Sequence, residues 1–148
     1  MFWSRNNQVV SDINTKHENE LYLKTAALDP LIKATAQLSD LADSDLLLLV
    51  VPSQHLRKVV EDAKQHIPNG IPLVLCSKGV EVNSGLLMTE MLSELMPDNP
   101  IAVLSGPTFA IEVANQLPTA VTLACKDEQL GKDLAKKLGY RSFRIYHS

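Results

Sequence analysis

Apolar positions along this chain fall into short uninterrupted runs that alternate with helical spacings, and the alternation is regular from about Ala36 onward. Leu46–Val51 is apolar throughout, which predicts a central parallel strand covered on both faces. Pro52 stops it and Ser53 is placed to cap a helix. Leu56, Val59, Val60, Ala63 and Ile67 then follow at the spacing of an amphipathic helix. Pro68-Asn69-Gly70 turns the chain into a second apolar run, Leu73–Ser77. Leu87, Met91, Leu92 and Leu95 mark the next helix, and Pro97–Pro100 turns into a third strand, Ile101–Leu104. Behind that strand Phe109, Ala110, Val113, Ala114 and Leu117 predict a helix reaching about Leu117, with Pro107 in its first turn. Ala120–Ala124 predicts a further strand. Asp127 is a cap for a helix through Leu130, Leu134 and Leu138 that Gly139 ends at C′, and Arg141–Tyr146 is a last strand.

The first third of the chain is less regular. Met1-Phe2-Trp3 reads as the tail of a strand. Gln8–Glu20 reads as a polar helix with Val9, Ile13 and His17 on one face. Leu21-Tyr22-Leu23 is a short apolar knot, Ile32–Thr35 a brief strand, and Leu38, Leu41 and Ala42 a short helix ending at Asp43-Ser44-Asp45. Strands alternating with helices of about ten residues predict an α/β fold with a doubly wound, mostly parallel, Rossmann-like sheet. A chain that opens on a strand's last residues predicts a sheet incomplete at its N-terminus.

Composition narrows the functional classes. The 148 residues are one domain's worth, and 45% hydrophobic with 21% charged residues is globular composition. A net charge of −3 argues against a nucleic-acid or anionic-membrane surface, and no apolar run approaches a membrane span. No charged-then-apolar stretch precedes Leu46–Val51, so export is not expected. Cys76 and Cys125 each lie in a strand-like apolar run and read as buried thiols of a reducing compartment. His17, His55, His66 and His147 share no ligand spacing, so no metal site is expected.

In an open α/β sheet a ligand lies beyond the carboxyl ends of the strands, so the residues leaving each strand carry the candidate chemistry. These are Ser4-Arg5, Pro52-Ser53, Ser77-Lys78-Gly79 and Ser105-Gly106-Pro107-Thr108, all polar or small. Lys78 can hold a phosphate or a ribose hydroxyl as a compact point charge, or stand as a solvated lysine at a loop edge. Gly106 lets a ligand approach the backbone. The first N–H groups of the helix behind it can bind an anion or a substrate hydroxyl, or the segment can be an ordinary strand-to-helix turn.

Taken together, Trp3-Ser4-Arg5, His17-Glu18-Asn19 with Tyr22-Leu23, Val51-Pro52-Ser53, Ser77-Lys78-Gly79, Leu104–Ala110 and Leu117-Pro118-Thr119-Ala120 keep order and approximate spacing from end to end. On these stretches the chain resembles the nucleotide-binding domain of bacterial NAD(P)-dependent glycerol-3-phosphate dehydrogenases. SGPTFA followed by LPTA is the specific part. The resemblance implies hydride transfer between NAD or NADP and the C2 carbon, interconverting dihydroxyacetone phosphate and sn-glycerol 3-phosphate, a product used in glycerophospholipid synthesis. It implies Lys78 at both the cofactor and the substrate phosphate, Gly106 and Thr108 at the substrate, Ala110 at the cofactor, and Arg5 and Tyr22 beside the cofactor's adenosine half. It further implies a cytoplasmic enzyme with a small phosphorylated substrate, and it allows a homodimer of the full-length protein.

Two departures qualify the match. The family opens on a GxGxxG-type turn, and none of the six glycines here stands in that arrangement, so about thirty residues of a first βαβ unit are expected to precede Met1. The family's catalytic lysine lies in a helical domain beyond Ser148, so no catalytic residue is assigned to this chain. A ketopantoate- or β-hydroxyacid-type reductase is an alternative that SGPTFA and LPTA argue against. A non-catalytic dinucleotide-sensing or interaction domain is the other.

Overall fold

The computed structural model describes every residue, Met1–Ser148. Three apolar helical faces on one β-layer organise the larger part of it. Strands β5 (Leu47–Leu49), β6 (Leu73–Leu75), β7 (Ile101–Ser105), β8 (Thr119–Cys125) and β9 (Phe143–His147) form one sheet in that spatial order. Pairings β5–β6, β6–β7 and β8–β9 are parallel, and β7–β8 is antiparallel. Helices α2 (Ser53–Ala63) and α3 (Met88–Leu95) cross between the parallel strands. Their faces explain the sheet's main core, in which Leu56, Val60, Ala63 and Ile67 meet Leu73, Leu75, Met88, Met91, Leu92 and Met96. Burial of each large side chain here is worth about 1.5–3 kcal/mol. On the other face Val74, Ala102 and Leu123 pack on Leu134 of α5 (Glu128–Leu138).

The first third builds a separate parallel pair, β1 (Phe2–Trp3) with β4 (Ala34–Thr35), joined through α1 (Asn7–Lys16) and a hairpin of β2 (Glu18–Asn19) with β3 (Leu23–Ala27). Phe2 N–H donates to Lys33 at 2.7 Å and Ser4 N–H to Thr35 at 3.0 Å. Val9 and Ile13 of α1 are buried against Ala34. In the doubly wound order 3-2-1-4-5-6, β4 and β1 take the places of strands 3 and 2, and β5, β6 and β7 those of 4, 5 and 6. No strand of this chain pairs β1 with β5.

That topology corrects one expectation. Leu46–Val51 is not a central strand but an edge, three residues long. Leu47 N–H donates to Pro72 and the Leu49 carbonyl accepts from Cys76, both at 3.0 Å, so in the parallel register the backbone groups of Leu48 face away from β6. Leu47, Leu49 and Val51 pack on the main core, whereas Leu48 is 48% and Val50 71% exposed. Apolarity on both faces predicted burial on both faces, and on the second face only Leu46 finds cover, against the cluster of Val74, Ala102, Leu123 and Leu134.

Other corrections are local. The residue at the cap of α2 is Pro52, with no side-chain cap, and Ser53 is already helical because φ −54 and ψ 136 at Pro52 place the helix boundary there. The helix behind β7 is α4 (Ala110–Ala114), only five residues, because Gln116 takes a left-handed φ of 57 and turns the chain out. Pro107 therefore lies in the loop, outside any helix. Gly139 ends α5 in an extended conformation (φ −80, ψ 149), not a left-handed one. A glycine is needed there because a Cβ would meet the Ala135 carbonyl oxygen at 2.8 Å. His17 lies past α1, ending it in a left-handed turn (φ 56), and Leu23 opens β3, while Leu21 and Tyr22 are exposed in the turn before it. Both cysteines are free and half-buried, and burial pushes the Cys76 thiol upward.

Candidate functional site

Lys78 leaves the carboxyl end of β6, and Gly106 and Thr108 leave that of β7. Because those strands are parallel neighbours, the two loops emerge side by side. The exposed Lys78 ammonium, paired with no carboxylate, donates to the Gly106 carbonyl at 3.4 Å. The same oxygen accepts the Thr108 N–H at 3.0 Å. Lys78, Gly106 and Thr108 are thus brought together on one rim of the sheet.

The loop carrying Lys78 is unusually well tied down. Ser77 Oγ donates to the Val51 carbonyl at the end of β5. Gly79 takes a φ of +107, which favours glycine. Glu81, only 8% exposed, receives Nε and Nη2 of Arg57 on its two carboxylate oxygens, both at 2.8 Å, and the Ser84 hydroxyl as well. The Arg57 guanidinium holds the Glu81 carboxyl well below its ordinary value of 4.5, at about 2. Because the folded value is depressed, this pair's contribution to stability is complete above the ordinary value of 4.5, declines as pH falls below it, and is gone once pH has fallen through about 2. Sequence reading missed this pair. Arg57 and Glu81 each look like solvated surface charges, and the only signal in the chain is that both flank stretches that carry the family resemblance.

At the other side of the rim, Arg5 follows β1, is exposed, and forms no ion pair. Its neighbours are committed to the backbone. Asn6 caps α1 by accepting from Gln8 N–H at 2.9 Å and Val9 N–H at 3.4 Å, and Ser4 Oγ accepts Asn6 N–H at 3.2 Å. Tyr22 is 71% exposed in the β2–β3 turn. The hairpin's second strand, β3, packs on α4, whose first residue is Ala110, so the hairpin bridges the two halves of the rim.

Two details revise the reading of the SGPT loop. The N–H that opens α4, that of Phe109, is not free for an anion. Phe109 N–H lies 3.3 Å from the Glu112 carboxylate, whose negative charge opposes one there. Lys78 is the cation on this part of the rim. Gly106 is required by packing before any ligand arrives, since a Cβ would stand 2.6 Å from Val121 Cγ1 and 3.0 Å from Val121 Cα on β8. A cavity of about 510 Å³ among α3, β7 and the β8–α5 turn contains none of these residues. No group of metal-ligating side chains is assembled, and no helix is long and apolar enough to cross a membrane.

Parallel strands with helical crossovers, and small or charged residues gathered at their carboxyl ends, define a Rossmann-type α/β protein. The chain belongs to the family described as NAD-dependent glycerol-3-phosphate dehydrogenase N-terminus, which its residues 1–131 match. The glycerol-3-phosphate dehydrogenase [NAD(P)+] of Paramagnetospirillum magneticum is 50% identical over all of this chain and 54% of its own length. That of Parvibaculum lavamentivorans is 49% identical over all of this chain and 44% of its own. This chain therefore spans about half the length of these curated relatives. Among solved structures, the glycerol-3-phosphate dehydrogenase of Coxiella burnetii superposes with a TM-score of 0.90 at 33% identity, over 99% of this chain and 45% of that one. The Plasmodium falciparum enzyme superposes with a TM-score of 0.86 at 28% identity, over 95% of this chain and 40% of that one.

Gly106→Ala tests the packing reading. It is expected to destabilise the full-length protein by about 1–3 kcal/mol in thermal melts without any ligand, because Val121 and its backbone must shift. An unchanged melting temperature would leave only ligand approach as the reason for glycine.

Proposed function

We propose that these residues are the partial NAD(P)-binding Rossmann-like domain of a longer glycerol-3-phosphate dehydrogenase, whose substrate and catalytic domain lies outside this chain. The observation that carries the reading is the meeting of Lys78 with Gly106 at the carboxyl ends of β6 and β7, in a chain of that family. When bound, the nicotinamide cofactor exchanges a hydride with C2 of dihydroxyacetone phosphate or sn-glycerol 3-phosphate. The chain's own residues bind and orient. Lys78 neutralises phosphate charge between cofactor and substrate. Gly106 and Thr108 shape the substrate side, and Ala110 and Tyr22 line the cofactor side. No residue here moves the proton, a role left to the lysine beyond Ser148 that the resemblance implies.

The residues fit the cofactor only in part. The exposed, unpaired guanidinium of Arg5 suits an adenosine 2′-phosphate, and Ser4-Arg5-Asn6 holds no carboxylate to select a free 2′-hydroxyl. For the pyrophosphate no glycine-rich turn is present, and the open edges of β1 and β5 support the reading that a strand carrying that turn belongs between them. The acidic net charge supports a small-molecule partner over nucleic acid. A cytoplasmic location, homodimerisation and supply of glycerophospholipid synthesis belong to the same proposal.

Lys78→Ala in the full-length enzyme is expected to raise KM for dihydroxyacetone phosphate and lower kcat. Loss of a charge-assisted hydrogen bond, roughly 1.5–3 kcal/mol, corresponds to a fall of about 10- to 100-fold in kcat/KM. Wild-type kinetics would return Lys78 to the solvated lysines. Arg5→Ala is expected to lower kcat/KM for NADPH while sparing NADH. An unchanged NADPH/NADH ratio would remove Arg5 from the cofactor site.

A further inference from the structure

We propose that Arg57 is a positioning residue for Lys78, acting through Glu81, and that the segment from Val51 to Arg57 is the mould in which the Lys78 loop is set. The inference rests on Lys78 working at the substrate, as proposed above. Lys78 sits between two anchors that both belong to the end of β5 and the start of α2. On its N-terminal side Ser77 Oγ donates to the Val51 carbonyl. On its C-terminal side Gln54 Nε2 donates to the Val80 carbonyl at 2.9 Å, and Gln54 Oε1 accepts Val82 N–H at 3.1 Å. One turn further along the same helix, Arg57 takes Glu81 in a two-pronged pair with both contacts at 2.8 Å. Residues three apart on a helix share a face, so Gln54 and Arg57 grip three consecutive loop residues, Val80, Glu81 and Val82, from one side.

The loop is also closed on itself. Glu81 N–H donates to Leu86 at 2.9 Å and Gly85 N–H to the Glu81 carbonyl at 2.8 Å, so moving Glu81 moves the whole excursion. Only Gly79, at φ +107, separates Lys78 from the gripped residues. The planar guanidinium is suited to this task because its two parallel bonds fix direction as well as distance, which an ammonium cannot do. Glu94, 3.9 Å from Arg57 Nη2 and largely exposed, adds charge on the outer side without reaching the loop.

The test is a mutant cycle in the full-length enzyme, read as kcat/KM for dihydroxyacetone phosphate with thermal melts alongside. Arg57→Ala is expected to lower kcat/KM about 10-fold, since a displacement of the loop by a fraction of an ångström misplaces the Lys78 charge. Arg57→Lys is expected to recover only part of this. In a Lys78→Ala background Arg57→Ala is expected to cost nothing further, because its effect passes through the lysine. Should Arg57→Ala fail to fold, Gln54→Ala, which removes neutral hydrogen bonds and no charge, carries the same expectation on a smaller scale. Losses that add in the double variant, or no loss from a folded Arg57 or Gln54 variant while Lys78→Ala is impaired, would overturn the positioning role alone. A Lys78→Ala enzyme with normal kinetics would overturn the substrate role of Lys78, and this inference with it.

Discussion

Backbone hydrogen bonding along the edge of β5 is the constraint on which the rest of this structure depends. A parallel strand buried within a doubly wound sheet must satisfy donors and acceptors on both sides, and unpaired groups there cost free energy comparable to a lost hydrogen bond. In this chain Leu47 and Leu49 are satisfied by β6, while Leu48 faces no strand and β1 offers its own open edge. The exposed side chains of Leu48 and Val50 belong to the same feature, because on the face they share α5 packs on Val74, Ala102 and Leu123 and leaves these two uncovered. An open apolar edge of this kind is a liability for pairing with other chains unless a partner strand fills it.

The site follows from the same layout. Parallel order sets the ends of β6 and β7 side by side, which brings Lys78 to the Gly106 carbonyl. The β5–α2 corner then does for the Lys78 loop what a cap does for a helix, fixing its main chain through Val51, Gln54 and Arg57. The Lys78 charge stays exposed while the carboxylate that anchors its loop is buried. The two can coexist because Glu81 is paired in the direction of the helix and Lys78 points the other way, to the β7 loop.

Much of this was legible in the residues. The helical spacings of α2, α3 and α5 and the apolar runs of β6 to β8 placed these elements to within a few residues, because their core faces bury the side chains that make the pattern. Where the pattern misled, tertiary context decided. Leu46–Val51 is apolar on two faces, yet β6 is the one strand that pairs with it. The apolar spacing behind Pro107 continues to Leu117, yet the backbone turns at Gln116 and leaves Phe109 and Leu117 exposed. Lys78 and the SGPT loop were visible as strand-end residues. The Arg57–Glu81 pair was not, since an ion pair across 24 positions leaves no local period in a single sequence.

The measurement that reaches the central claim most directly is calorimetric titration of this 148-residue chain, in soluble form, with NADH. If the cofactor needs a further strand and glycine turn between β1 and β5, the pyrophosphate has no helix N-terminus to hold it in this chain and no saturable micromolar binding is expected. A dissociation constant in the low micromolar range would contradict the account, since the residues from Met1 to Ser148 would then be a sufficient site by themselves.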